Sequence, residues 1–254
     1  MPRYTVYWQP GCTSCLKTKE FLRVHGIEFE SVNVREAPGA MEALARVGAR
    51  SVPVVTRGDE FVLGQDLEAV ARFLGVAADR TRLDVPVLAS RLIALLDCAA
   101  DMTAQIPADA LHARLPGRER TRLDLAYHVP QIAVAFLDAA LGGRLTFEHF
   151  ERTAPEHIHT AADAARLTRS VSQAFAVWWG ANQSRLPGAL DTYYGYQTLH
   201  GVLERTTWHV AQHVRQLERV LELLRVTPAP RLPAGLLEGL PLPKDVWDAE
   251  VPLQ

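Results

Sequence analysis

Cys12-Thr13-Ser14-Cys15 stands directly between a short β-type run and a helical pattern, and that position limits the folds open to the first part of the chain. Tyr4 to Trp8 alternates aromatic and β-branched residues, as a strand does. Gln9-Pro10-Gly11 breaks the run. Cys12 to Val24 then reads as a helix, with Leu16, Phe21 and Leu22 on an apolar face and Lys17, Lys19 and Glu20 on a polar one. A thiol at a helix start meets unpaired backbone N–H groups and the positive end of the helix dipole, and both stabilise its thiolate. Cys12, at the exposed end, is the expected nucleophile, and Cys15, one turn in, the resolving thiol. The same pair would make half of a zinc site, but the sequence has no second C-x-x-C and Cys98 lies far from the first.

The elements that follow complete an α/β unit. Gly26 stops the first helix, Phe29 to Val34 reads as a strand, and Pro38 to Val47 as a helix ended by Gly48. Val52 to Thr56 and Phe61 to Leu63 flank a turn at Arg57-Gly58-Asp59, and Asp66 is placed to cap a third helix reaching about Leu74. The order is βαβ followed by ββα. Through Cys12-Thr13-Ser14-Cys15, Ser51-Val52-Pro53 and Gly64-Gln65-Asp66, residues 1–76 resemble the glutaredoxin family within the thioredoxin fold. That resemblance implies a cis Pro53 facing the dithiol and a Val52 backbone that hydrogen-bonds a thiol-peptide substrate. It also implies that Asp66 and its helix start bind the charged end of glutathione or a similar thiol. Two departures point toward another low-molecular-weight thiol or thioredoxin reductase. Thr-Ser replaces Pro-Tyr between the cysteines, and Gln9 stands where the family carries a basic residue.

Residues 77–85 read as a linker, with Pro86 at the boundary, and the pattern from 86 to 226 is mainly helical. Four helices are expected, roughly Val87 to Gln105, Thr121 to Leu141, Ala162 to Gln183 and Tyr196 to Leu224. Pro130 should kink or break the second, and residues 144–160 read as irregular. Such an order suggests an all-α four-helix bundle with a crossover connection. On the last helix His209 and His213 are four residues apart, which stacks both imidazoles on one face, and His128 supplies a third from another helix. His128 with His209-Val-Ala-Gln-His213-Val-Arg-Gln216 resembles the DinB-like superfamily, which includes bacterial thiol S-transferases and mycothiol-dependent isomerases. The resemblance implies that His128, His209 and His213 bind one divalent metal, nickel or zinc, with positions left open. Asp124, one turn before His128, is expected to orient an imidazole. His112, His149, His157, His159 and His200 read as solvated or structural, with His157-x-His159 a weaker metal pair. Trp178 and Trp208 read as packing residues and Cys98 as a small buried hydrophobe. The Pro-rich tail, 227–254, is too apolar for a free linker and should pack on a domain surface.

At 254 residues the chain accommodates two cores, and 48% hydrophobic with 22% charged residues fits a globular protein. A net charge of −2 gives no electrostatic case for nucleic acid or acidic membrane. No apolar run is long enough to span a bilayer and the start lacks a signal-peptide core, so the cytosol is the default location. The expected function joins both halves: a glutaredoxin-like thiol-disulfide oxidoreductase fused to a metal-dependent thiol S-transferase. The thiol is glutathione, bacillithiol or mycothiol, the substrates mixed disulfides or electrophiles, and a homodimer is the oligomer this reading allows. The alternatives are a bundle that only binds metal or a partner, or a metal-dependent hydrolase.

Overall fold

A computed structural model describes residues 4–77, 81–115, 120–248 and 250. The expected loop at Pro116-Gly117, the linker residues Ala78 and Asp79, and Pro252 lie outside the described residues. The chain divides into two compact units, one made of Met1–Thr81 with Pro243–Gln254 and the other of Arg82–Leu242.

The first unit contains β1 (Tyr4–Trp8), α1 (Thr13–Val24), β2 (Phe29–Asn33), α2 (Ala40–Arg46), β3 (Val54–Arg57), β4 (Glu60–Leu63) and α3 (Leu67–Leu74). Its sheet has the order β2-β1-β3-β4, with β1 parallel to β2 and antiparallel to β3. Alternation along the strands sorts the side chains to the two faces. Val6 and Val55 are register partners and pack with Leu22 of α1 and Val70 and Leu74 of α3. Their neighbours Tyr7 and Val54 pack in a second cluster with Leu44 of α2. The β3–β4 hairpin turns at Gly58, whose φ of 61° suits a two-residue loop. Gly64 follows β4, and a Cβ there would stand 2.6 Å from Thr18 Oγ1 and 2.8 Å from Pro53 Cγ, so only glycine lets these segments approach.

Lys19 of α1 is wholly buried. Its ammonium lies 3.5 Å above the Trp8 ring, 2.5 Å from an Asp248 carboxylate oxygen and 3.0 Å from Glu250. Glu250 also accepts from the Ser31 hydroxyl at 2.8 Å and from Arg23 at 3.1 Å. Glu20 receives the backbone N–H groups of Lys244 and Asp245. The last segment of the chain is thereby part of the α/β unit.

The second unit is mostly helical. Its long helices are α4 (Val85–Ala104), α6 (Arg122–Ala140), α8 (Ala161–Asn182) and α9 (Leu199–Leu223), with short α5 (Ala108–Leu111) and α7 (Glu148–Glu151) between them. Both α4 and α6 pack against α8 and α9. The stripe Leu88, Leu92, Leu95, Leu96 and Ala99 of α4 is fully buried. Thr121 with Asp124 and Thr160 with Asp163 close capping boxes at the starts of α6 and α8. Phe136 packs edge-on against Phe175 and Trp178 between α6 and α8.

Three expectations are corrected here. Helix α6 runs through Pro130 without a break, because Pro130 and its neighbours are buried against α8 and α9 and that packing outweighs one lost backbone bond. The last helix begins at Leu199 rather than Tyr196. Residues Ala189–Thr192 and Gly195–Thr198 form a hairpin, β5–β6, turned at Tyr193-Tyr194 with Gly195 at φ 104°, and Thr198 caps α9 through its hydroxyl. The stretch 144–160 is only partly irregular: Leu145 exchanges backbone hydrogen bonds with Asp191 and Tyr193, and α7 lies within it. There His149 is buried, its Nε2 2.7 Å from Asp138. In the tail, Ala229 bonds with Gln105 in both directions and the Leu232 N–H donates to Glu218.

Losing one partner of a buried ion pair costs about 3–5 kcal/mol, whereas replacing both with apolar groups is close to neutral. Lys19→Ala is expected to accelerate hydrogen exchange of α1 and β1 amides, and Lys19→Met with Asp248→Leu to restore most of the protection. Equal protection in Lys19→Ala and the parent would contradict a structural role for this pair.

Candidate functional site

Cys12 is the N-cap of α1, with extended backbone (φ −83°, ψ 103°), and its Sγ accepts the Cys15 N–H at 3.1 Å. The two cysteines are joined as a disulfide. Cys15 is fully buried, while Cys12 is only partly so. No acidic residue occupies the first turn of α1, so the helix start opposes no negative charge on sulfur. Break of the β1 strand by Gln9-Pro10-Gly11 places Cys12 at that position, where its own N–H still donates to the Gln9 carbonyl at 3.3 Å.

Val52 packs in the same apolar cluster as both cysteines. The Val52–Pro53 peptide is cis, and the Val52 carbonyl accepts from Gln65 Nε2 at 3.0 Å. That carbonyl is therefore held by the protein itself. Asp66 caps α3: its Oδ1 accepts the N–H groups of Glu68 and Ala69 at 3.0 and 3.1 Å. The carboxylate of Asp66 thus has a local task at the helix start.

In the helical unit, His128 of α6 meets His209 and His213 of α9. Their nearest ring nitrogens all lie within 4.8 Å of one another, and all three residues are buried. Ring centroids are 4.8 Å apart for His128 and His213, 5.7 Å for His128 and His209, and 4.9 Å for His209 and His213. Burial, aided by the Arg120 guanidinium and the other two imidazoles, holds His128 well below the usual histidine range, so it is neutral. A neutral imidazole is the form that ligates metal. His128 Nδ1 is buried without a hydrogen-bond partner. His213 Nδ1 lies 2.8 Å from Gln216 Oε1, which fixes the proton on Nδ1 and turns the Nε2 lone pair away from Gln216. A buried imidazole nitrogen lacking a partner, a neutral His128 and, among the described residues, no carboxylate in the group fit a divalent cation of borderline softness.

The structure corrects the expected role of Asp124. Its carboxylate serves the α6 cap, with Oδ2 accepting from the Thr121 N–H and hydroxyl and Oδ1 facing the Ala154 N–H. Those bonds hold the carboxyl below its ordinary range against the opposing effect of burial. Gln216, not Asp124, orients an imidazole. Two further neighbours were not singled out from the sequence. Phe150 has its ring centroid 6.1 Å from that of His128 and 5.7 Å from that of His209. Arg205 lies one turn before His209, and the i, i+4 spacing that joins His209 to His213 would have found it. His200 Nε2 donates to the Leu83 carbonyl at 2.8 Å, and His159 is exposed beside Asp163. Among the described residues, His128, His209 and His213 make the one group of metal-ligating spacing.

The glutaredoxin family profile matches residues 4–62. The glutaredoxin-like protein NrdH of Escherichia coli (strain K12) is 42% identical over 57 residues, covering 22% of this chain and 70% of that protein. NrdH of Lactococcus lactis subsp. lactis (strain IL1403) is 36% identical over 55 residues, 22% of this chain and 76% of that protein. Among solved structures, a mutant of the thioredoxin-like protein BC3987 is 29% identical, covers 30% of this chain and all of its own, and has a TM-score of 0.28.

The three cysteines should separate by alkylation. Burial pushes the Cys98 thiol up to about 11, with the Asp101 and Glu218 carboxylates adding to the effect. After reduction, iodoacetamide at neutral pH should label Cys12 first and Cys98 only after unfolding, read by peptide mass spectrometry. Rapid labelling of native Cys98 would contradict its assignment as a packing residue.

Proposed function

Since this chain belongs to the glutaredoxin family through its N-terminal unit, we propose that Cys12 and Cys15 reduce disulfides by two successive thiol–disulfide exchanges. Cys12 thiolate attacks one sulfur of the substrate disulfide, forms a mixed disulfide and expels the first thiolate. Cys15 thiolate then attacks Cys12 Sγ and releases the second thiolate, which leaves the Cys12–Cys15 disulfide and a substrate reduced by two electrons. The observation that carries this reading is the Cys15 N–H bond to Cys12 Sγ at 3.1 Å, at the start of a helix with no acid in its first turn. Val52, clustered with both cysteines, and the cis Pro53 after it would form the docking edge for a thiol-peptide, and Asp66 would meet the charged end of a small thiol. Gln9, in the place of a basic residue, favours thioredoxin reductase, bacillithiol or mycothiol over glutathione as the reductant that restores the dithiol.

For the helical unit the reading is a DinB-like four-helix bundle acting as a metal-dependent thiol S-transferase. His128, His209 and His213 would hold one divalent ion, nickel or zinc, and Gln216 would fix the ring of His213. A divalent ion supplies Lewis acidity that favours the deprotonated form of a thiol. The chain's own part is to present three buried imidazoles, two of them packed against the Phe150 ring. A second reading, a bundle that binds metal without turnover, is favoured by the near-complete burial of the three histidines.

Cys12→Ser is expected to abolish reduction of a mixed disulfide, and Cys15→Ser to retain a monothiol reaction. Wild-type rates in Cys12→Ser would overturn the nucleophile assignment. For the bundle, mass spectrometry of the full-length protein reconstituted with nickel or zinc should count about one ion per chain. Replacing His128, His209 and His213 together by Ala should remove it, and histidine-independent metal content would refute the site. Consumption of thiol with an electrophile, lost in His209→Ala, distinguishes transferase from metal-binding module.

A further inference from the structure

Arg205 occupies the same face of α9 as His209 and His213, one turn earlier, and is only 6% exposed. Buried arginines are ordinarily matched by a carboxylate. Among the described residues none pairs with this one. The carboxylate of the adjacent Glu204 lies 3.8 Å from Arg82. The partners of Arg205 are aromatic instead. Its guanidinium carbon lies 5.4 Å from the Phe150 ring centre, 5.3 Å from Tyr194 and 6.0 Å from Tyr193. Nη2 donates to the Tyr193 hydroxyl at 3.2 Å, and the buried Nε N–H meets no acceptor. Burial opposes its charge, but Tyr193 and Tyr194 outweigh it and keep the guanidinium protonated.

Phe150 connects this cation to the histidines, since its ring neighbours His128 and His209 as well as Arg205. Among the described residues, the result is a cation without a carboxylate partner beside three buried imidazoles. A second cation, the partly exposed Arg120, bears on His128 and is itself opposed by Asp124. Loading with a divalent ion would add two more positive charges where the ligands supply none. Such a place favours an anionic ligand. A planar guanidinium held by aromatic faces, with N–H donors remaining, suits a carboxylate, which it can meet with two parallel hydrogen bonds.

We infer that Arg205 is a specificity-determining residue that receives the carboxylate of a small thiol or electrophile whose reacting end is presented to the three-histidine site. This rests on the metal reading of that site. The competing role for Arg205 is a brace that holds the β5–β6 turn through Tyr193, with no part in ligand choice.

The test uses full-length protein loaded with cobalt(II), with metal counted by mass spectrometry. Thiolate coordination is followed by its charge-transfer absorption during titration with 3-mercaptopropionate, which carries a carboxylate, and with 2-mercaptoethanol, which does not. The quantity read is the ratio of the two dissociation constants in the parent against Arg205→Met, so that the differing acidities of the free thiols cancel. The parent is expected to prefer 3-mercaptopropionate by about ten-fold or more over the variant's ratio, the scale of one charge-assisted hydrogen bond. The variant should retain one cobalt and unchanged affinity for 2-mercaptoethanol. An unchanged ratio in Arg205→Met overturns the inference and leaves the brace. Should Arg205→Met not fold by circular dichroism, Arg205→Lys replaces it: a ratio lowered at constant charge supports recognition by the planar fork, and an unaltered ratio overturns it. Absence of cobalt from the parent is a different failure, that of the metal reading, and the metal count identifies it.

Discussion

Helix α9 takes polar side chains into the interior of a mostly apolar unit, where each one left without a partner carries a desolvation cost. Arg205, His209, His213 and Gln216 recur at intervals of three and four residues, so they share a face rather than distributing around the helix. An apolar residue at each position would cost nothing in desolvation. The polar row instead obliges the surroundings to comply: α6 supplies His128, the stretch around α7 supplies Phe150, and the β5–β6 hairpin supplies Tyr193. Several irregular parts of the unit thereby acquire a reason for their shape. The hairpin between α8 and α9 is short and carries few buried apolar side chains, yet it delivers two tyrosines to one guanidinium.

The two units gather their chemistry-bearing side chains by opposite means. In the α/β unit the reactive atoms belong to the chain, and backbone geometry prepares them: Cys12 lies where a helix begins and an amide already points at its sulfur. In the helical unit the chain brings three imidazoles together and buries them. Burial depresses the charged form of His128, and Gln216 decides which nitrogen of His213 carries the proton. The same low-polarity surroundings that make an imidazole a good ligand make an unmatched arginine conspicuous.

Much of the α/β unit was legible because its signals are local. Gly26, Gly48, Gly58 and Gly75 punctuate strands and helices, and Asp66 caps α3 where the sequence places a cap. His128, His209 and His213 were legible as a set through the four-residue spacing of two of them, and the structure brings all three together. What sequence reading missed depends on contacts distant in the chain. The β5–β6 hairpin has strands of four residues each, too short for periodicity to register, and its Tyr193-Tyr194 turn reads equally as a helix approach. Pro130 is a helix breaker by local propensity and is overruled by burial on α8 and α9. Asp124 is one turn from His128, and spacing alone does not reveal that Thr121 claims its oxygens first.

The α/β unit is assembled from two stretches separated by the whole of the helical unit, since residues 243–250 return to Lys19, Glu20 and Ser31. During synthesis the thioredoxin-type sheet leaves the ribosome early, but Lys19 has no carboxylate from Asp248 or Glu250 until more than two hundred further residues have been added. Vectorial synthesis therefore gives the helical unit time to form while a lysine in the nascent α/β unit still awaits its counter-charges. Completion of the first unit thereby waits on synthesis of the whole helical unit, which ties the finished dithiol unit to the presence of the other.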